Sequence, residues 1–199
     1  MANRKPSTEA LETDEPPGRV ARLSALANEN VRHLSALVHM HDQGFDVTAT
    51  DYSDLPIIES KLNPEEKKLF NEDPMVGARV LLQALTASNT ARDLYEEAVL
   101  HNGNGDAYRH MYWNFRMASN SGIGASWADR WGNAHEDGDP KQPTIQRTMD
   151  LHNNMRGRQL AAANVDDDPR ALRSAIRNGS CRMISNGVLV KTNGTGEKP

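Results

Sequence analysis

From Arg19 to about His41, apolar side chains recur at Val20, Leu23, Leu26, Ala27, Val31, Leu34, Leu37 and Val38. A spacing of three and four residues predicts an amphipathic helix. Gly44 and the Asp- and Thr-containing stretch to Asp54 end it. Asn63-Pro64-Glu65-Glu66 reads as a helix start: an Asn cap, a Pro in the first turn, and acids next. That helix runs to about Phe70. Asp73-Pro74 opens another, which carries Leu81, Leu82, Leu85 and Leu94 to about Leu100.

His101-Asn-Gly-Asn-Gly105 is a turn, after which Asp106 is placed to cap a helix reaching about Ser119. Gly122-Ile-Gly124 breaks it. A further helix takes Trp127 and Trp131 to about Glu136, and Asp137-Gly-Asp-Pro140 is a loop. Pro143 opens a helix to about Asn164 through Ile145, Met149, Met155 and Leu160. Asp168-Pro169 starts a last one to about Arg177. Between Cys181 and Lys191, Asn186-Gly187 separates two short apolar runs, a weak hairpin signal.

The expected fold is mainly α: a single helical domain over residues 18–191 with a short C-terminal β-hairpin. Its motif core spans 102–164. Polar residues 1–17 and 192–199 are expected to be disordered tails. The 199 residues suffice for one real core. A net charge of −4 provides no general attraction to nucleic acid or anionic membrane, so no nucleic-acid partner is expected. No apolar run approaches the roughly 18 residues of a transmembrane segment. The basic N-terminal residues precede no apolar stretch, so synthesis in the cytoplasm without a signal peptide is expected, with export by a specialised system left open. The single Cys181 excludes an internal disulfide framework.

The candidate chemistry is concentrated between Asp106 and Asn154, where three of the seven histidines fall among carboxylates and amides. Asp106 and His110 are one turn apart and leave one helix face about 6 Å from each other. Such a pair either holds a metal together or lets the Asp orient the His as a general base. Asn114 follows one turn later, and Arg109 beside that face suits a carboxylate or an anionic substrate. On the later helix, Asp150, Asn153, Asn154 and Arg158 form a polar stripe. Consecutive Asn are poor helix formers, so their amides should be bonded to something specific. Gly157 costs about 1 kcal/mol relative to Ala and would admit a close backbone or ligand.

His135-Glu136, at a helix end, completes the set, with Glu136 a reasonable base for activating water. The expected metal ligands are Asp106, His110, His135 and Asp150. The catalytic candidates are Glu136, His110, Arg109, His135, Asn153 and Asn154. Oxygen-rich groups with imidazoles suit a divalent ion: Zn²⁺, Mn²⁺, Mg²⁺ or Ca²⁺. No Cys participates, and the His-Glu-x-x-His protease spacing is absent.

Each residue also has a plain structural reading. Asp106 can be only a helix cap, Arg109 and Asp150 only an ion pair, Asn153 and Asn154 only ties. Tyr108, Tyr112, Trp113, Phe115, Trp127 and Trp131 either build the core or line a slot for a lipid or aromatic group. His33, His39 and His41 read as surface and Cys181 as core. Arg170, Arg173, Arg177 and Arg182 form either a solvated face or a phosphate contact.

Three ordered motifs resemble a bacterial family of domains found in secreted and toxin-type proteins. They are Asp106-Ala107-Tyr108-Arg109-His110, then His135-Glu136, then Met149-Asp150-Leu151-x-Asn153-Asn154-x-x-Gly157. The likeness is tight over about 60 residues and looser over 63–178. It implies a helical domain and, from the toxin setting, an antibacterial effector with a cognate immunity protein and a secretion-system component as partners. The expected activity is a metal-dependent hydrolase acting on a cell-envelope substrate: a phospholipid, lipid-linked or peptidoglycan precursor. The alternatives are a nuclease toxin and a non-enzymatic binding or structural protein with a buried polar network.

Overall fold

The computed structural model describes residues 17–44, Val47, 62–138 and 140–199; in the first helix, side chains are described at Glu29 and from Val31 onward. The tail expected over 1–17 lies outside the described residues except for Pro17. The chain forms α1 (Pro17–Asp42), α2 (Pro64–Glu72), α3 (Pro74–Leu94), a 3₁₀ turn (Glu97–Val99), α4 (Asn104–Ser119), α5 (Gly124–Asp137) and α6 (Thr144–Ala162). The short helices α7 (Pro169–Leu172) and α8 (Ser174–Arg177) follow, then strands β1 (Arg182–Ser185) and β2 (Val188–Lys191). The expected mainly α domain with a C-terminal hairpin is what forms.

The N-terminal signals work as their chemistry requires. Asn63 Oδ1 accepts from the backbone N–H groups of Glu65 and Glu66 at 2.9 Å, and Glu66 Oε2 accepts from Asn63 N–H at 2.8 Å. This reciprocal pair satisfies donors that the first turn leaves unbonded. Asp73 Oδ1 caps α3 by accepting from Met75 and Val76 N–H at 3.0 Å, with no reciprocal bond. The strands pair antiparallel with Ser185 opposite Val188. Asn186 and Gly187 between them both have positive φ, 51° and 76°, the geometry that a two-residue hairpin turn requires.

The most extensive packing joins α4 to α6. It depends on Gly157: a Cβ there would stand 2.0 Å from the Met111 carbonyl oxygen and 2.8 Å from the Phe115 nitrogen. The close approach expected at this glycine is therefore that of a neighbouring backbone. Tyr95, Tyr108, Tyr112 and Phe115 form a run of ring contacts with centroids 5.3–6.3 Å apart, all buried. Trp131 is buried too, whereas Trp127 is half-buried beneath Arg130. His33, His39 and His41 are exposed and Cys181 is buried.

Three sequence expectations need correction. The helix expected to reach about Leu100 ends at Leu94, where Tyr95 is extended and a separate 3₁₀ turn follows. The single helix expected to end near Arg177 is broken at Arg173, whose buried guanidinium donates to the Lys198 carbonyl at 2.9 Å. Residues 192–199 are also no loose tail. Glu96 N–H bonds Gly196 O and Lys198 N–H bonds Leu94 O, both at 2.8 Å. Glu197 receives Arg177 at 2.6 Å and lies 3.6 Å from Arg173. Backbone pairing and this ion cluster outweigh a composition that reads as disorder. They also occupy Arg173 and Arg177, while Arg182 donates to the Gly179 and Cys181 carbonyls.

Candidate metal centre

The centre begins at the start of α4. Gly103 is the cap residue, so Asp106 is not the N-cap that its sequence position suggested. It is the third helical residue. Its Oδ2 accepts from Asn102 N–H at 2.7 Å, and its Oδ1 accepts from Arg109 Nη2 at 2.6 Å. One turn on, His110 is 2% exposed. Its Nε2 stands 3.6 Å from Asp106 Oδ1 and 3.5 Å from Asp150 Oδ1, which α6 delivers from the opposite side. Ligand atoms from Asp106, His110 and Asp150 all lie within 4.8 Å of one another.

Glu136, at the end of α5, lies behind the imidazole with its Oε1 3.4 Å from His110 Nδ1. Gln142 donates to both Glu136 Oε2 at 3.1 Å and Asp150 Oδ2 at 3.0 Å, tying the two carboxylates together. Beneath them is an amide chain. Asn154 Nδ2 donates to Glu136 Oε1 at 3.1 Å, and Asn114 Nδ2 donates to Asn154 Oδ1 at 2.8 Å. Arg158 donates to Asn114 Oδ1 at 2.8 Å and pairs outward with Asp129 at 2.7 Å. The costly Asn at position 154 is thus a bonded strut.

Burial dominates the electrostatics. It pushes Asp150 up to about 8, with the charges of Glu136 and Asp106 adding to the rise. Burial also raises Glu136, although His135, Gln142 and Asn154 oppose it. His110 falls well below its ordinary value because burial, then the charges of Arg109 and His135, disfavour the imidazolium. Asp150 Oδ1, which faces His110 Nε2, is buried without a hydrogen-bond partner. Buried polar atoms in native folds are mostly satisfied, so this oxygen at the convergence of Asp106, His110 and Asp150 leaves room for a partner there. Two carboxylates and an imidazole converging on one point form a donor set that a divalent cation fits.

The structure rearranges the remaining expectations. His135 does not join the three-ligand group. Its Nδ1 pairs with Glu66 Oε1 at 2.8 Å and its ring packs edge-on to Trp113, 6.0 Å from the His110 ring. Burial opposes its charge, but Glu66's hydrogen bond and charge, helped by Glu136, raise its pKa. Asn153 is not at the centre. Its side chain makes a two-way bond with the backbone of Arg182, at 2.9 and 2.8 Å, and fastens β1 to α6. His152 likewise reaches the Ser180 carbonyl at 3.1 Å. Adjacent residues on a helix diverge by about 100°, which is why Asn153 and Asn154 part company.

Three contributors escaped the sequence reading. Glu66 orients His135. Asn63 donates to the Ala134 carbonyl at 3.0 Å and so fastens α2 to the end of α5. Gln142 comes from a loop with no motif. The capping string contained Glu66 as a cap residue, but nothing in it indicated His135, 69 positions away.

A cavity of about 300 Å³ opens onto the centre, and His135, Arg109, Asn102 and Gln146 share its wall with the ligand group. None of the expected Tyr, Trp or Phe residues lines it. The aromatic slot is not built here; those rings fill the core.

A helical domain whose two main helices clasp a buried Asp–His–Asp group is the class that fold and site define. Residues 67–183 match the family described as Domain of unknown function (DUF6973), and the chain belongs to that family. The matched span holds all of the Asp–His–Asp group as well as Glu136, His135 and Asn154. No curated protein and no solved structure matches the chain. Among the described residues, no helix is long and apolar enough to cross a membrane.

Proposed function

We propose that this protein is a metal-dependent hydrolase whose ion is held by Asp106, His110 and Asp150. One observation carries the reading: Asp150 Oδ1, on a residue 5% exposed, has no hydrogen-bond partner and faces His110 Nε2. Leaving a buried carboxylate oxygen unsatisfied is costly unless it is paired or bound to a metal. When bound, a divalent ion (Zn²⁺, Mn²⁺, Mg²⁺ or Ca²⁺) supplies Lewis acidity and activates water for attack.

The other groups divide the remaining work. Glu136, with Oε1 3.4 Å from His110 Nδ1, stands behind the ring and orients it so that Nε2 faces Asp106 and Asp150, the usual place of a carboxylate behind a ligating histidine. This replaces the base role expected for Glu136. His135, held by Glu66 and lining the same cavity, takes the proton from water. Arg109 grips the negatively charged oxygen of the substrate. The polar wall supports a phosphate or carbonyl centre.

The direct test is hydrolysis of bis(p-nitrophenyl) phosphate and p-nitrophenyl acetate by protein loaded with each ion in turn. Turnover that needs the ion and is lost in a folded His110→Ala variant supports the reading. Equal turnover by that variant removes it.

The effector setting follows from the family resemblance, and an envelope substrate follows from that setting. Expression in a bacterium, directed to the cytoplasm or the periplasm, tests both. Killing from the periplasm alone supports an envelope substrate, and killing from the cytoplasm favours a nuclease. Harmless folded protein in both places removes the toxin reading.

A further inference from the structure

Arg109 occupies a position that a metal ion would contest. Its Nη2 lies 2.6 Å from Asp106 Oδ1 and 2.8 Å from His110 Nε2. These atoms face Asp150 Oδ1 across the centre. A cation bonded to both would compete with that guanidinium nitrogen for the same two atoms. Arg109 is able to leave, since its side chain is 35% exposed and lies at the rim.

It has somewhere to go. A second cavity of about 320 Å³ lies between α3 and the turn after it, and Arg109 and His101 line both cavities. The outer cavity also presents Ser88, Arg92, Glu97 and Leu100. With Arg109 engaged by Asp106, the charges of Arg92 and Glu97 cancel there. Once Arg109 is released, its positive charge is left over. Two guanidiniums on one small wall suit a phosphoryl group, whose oxygens accept bidentate hydrogen bonds.

We propose that Arg109 is a displaceable counter-cation: a divalent ion takes its place between Asp106 and His110, and the freed guanidinium joins Arg92 in binding a phosphoryl group of the substrate in the outer cavity. This inference rests on the metal-dependent reading and adds the substrate class to it. Metal and phosphoryl group then bind cooperatively, because each stabilises the same position of Arg109. The coupling is reciprocal by thermodynamic linkage.

The test is calorimetric titration of Mn²⁺ into the full chain, with and without phenylphosphonate, and with benzoate as a carboxylate comparator. Wild type, Arg109→Gln and Arg92→Ala are compared after circular dichroism confirms their fold. Arg109→Gln keeps a polar side chain of similar length in case complete truncation unfolds α4. Phenylphosphonate should tighten Mn²⁺ binding by on the order of tenfold in wild type, and benzoate should do so less. Arg109→Gln should bind Mn²⁺ more tightly than wild type and show no coupling. Arg92→Ala should weaken phosphonate binding while keeping the bare Mn²⁺ affinity. Mn²⁺ binding that ignores phosphonate, or coupling that survives in Arg109→Gln, overturns this inference and leaves the metal centre standing. Failure of wild type and Arg109→Gln alike to bind Mn²⁺, Zn²⁺, Mg²⁺ or Ca²⁺ overturns both.

Discussion

Glu136 Oε1 lies 3.4 Å from His110 Nδ1, on the side of the ring opposite Asp106 and Asp150. The Nδ1 edge of the ring thus faces Glu136 and the Nε2 edge faces those carboxylates. Asn154 and Gln142 hold Glu136 in turn, so the orientation of the His110 ring is supported by residues outside the Asp–His–Asp group.

Glu136→Gln should therefore weaken metal binding without unfolding the protein. The expected loss is about 10–100-fold, the usual effect of removing the partner behind a ligating histidine. Metal titration beside a thermal melt checks it. Unchanged affinity in a folded variant would remove the orienting role.

Asp150 predicts a pH dependence of the metal-free protein. Its pKa rises from an ordinary 3.8 to about 8 in the fold, chiefly through burial. Between those values the folded state keeps a proton that the unfolded chain has lost, so the folded state binds more protons. Stability from this group is complete below the ordinary value and declines as pH rises toward the folded one. Urea melts of wild type and Asp150→Asn between about pH 5 and pH 8 should show the wild type losing ground relative to the variant. Parallel curves would contradict the assignment.

Gly157→Ala sets propensity against packing. Alanine favours a helix by about 1 kcal/mol. The added Cβ, however, meets backbone atoms of Met111 and Phe115, which cannot rotate aside. Overpacking of this kind costs about 1–3 kcal/mol, occasionally more. Net destabilisation in a urea melt is expected, with weaker metal binding as α4 and α6 are forced apart. A more stable variant would show that the two helices are not held at that distance.

Glu197→Ala should destabilise the whole domain. Arg173 is 7% exposed and loses its carboxylate partner, while Tyr95 and Arg177 lose an acceptor. Removing one partner of a buried ion pair costs about 3–5 kcal/mol, less here because Arg173 keeps the Lys198 carbonyl. A fall in the midpoint of unfolding checks this. No change would mean that residues 192–199 are held without the Glu197 ion cluster, by backbone pairing and the Asn104 and Arg173 bonds.

The elements were legible because their signals are local. Asn63-Pro64-Glu65-Glu66, Asp73-Pro74 and Asn186-Gly187 each act within four residues, and each forms the start or turn it encodes. The centre was legible in part. Asp106 and His110 share a helix face by spacing, and Asp150 and Asn154 follow the same rule on α6. What joins the two faces is tertiary packing, in which Gly157 was visible only as an oddity. His135 lines the cavity but pairs with Glu66 and stays out of the ligand group, and Asn153 turns away to Arg182, because a helix turns neighbours apart. The C-terminal segment was misread because its bonds run to Leu94, Glu96 and Asn104, partners about a hundred positions distant that no local pattern reveals.

The most direct test of the central claim is metal binding itself. Metal-free protein is titrated with Mn²⁺ and Zn²⁺, with Asp106→Asn, His110→Ala and Asp150→Asn alongside and circular dichroism confirming each fold. One ion per chain in wild type, with each substitution abolishing or severely weakening binding, is the predicted result. Binding unaffected by these substitutions, or no binding by a folded wild type, would contradict the assignment of Asp106, His110 and Asp150 as a metal centre.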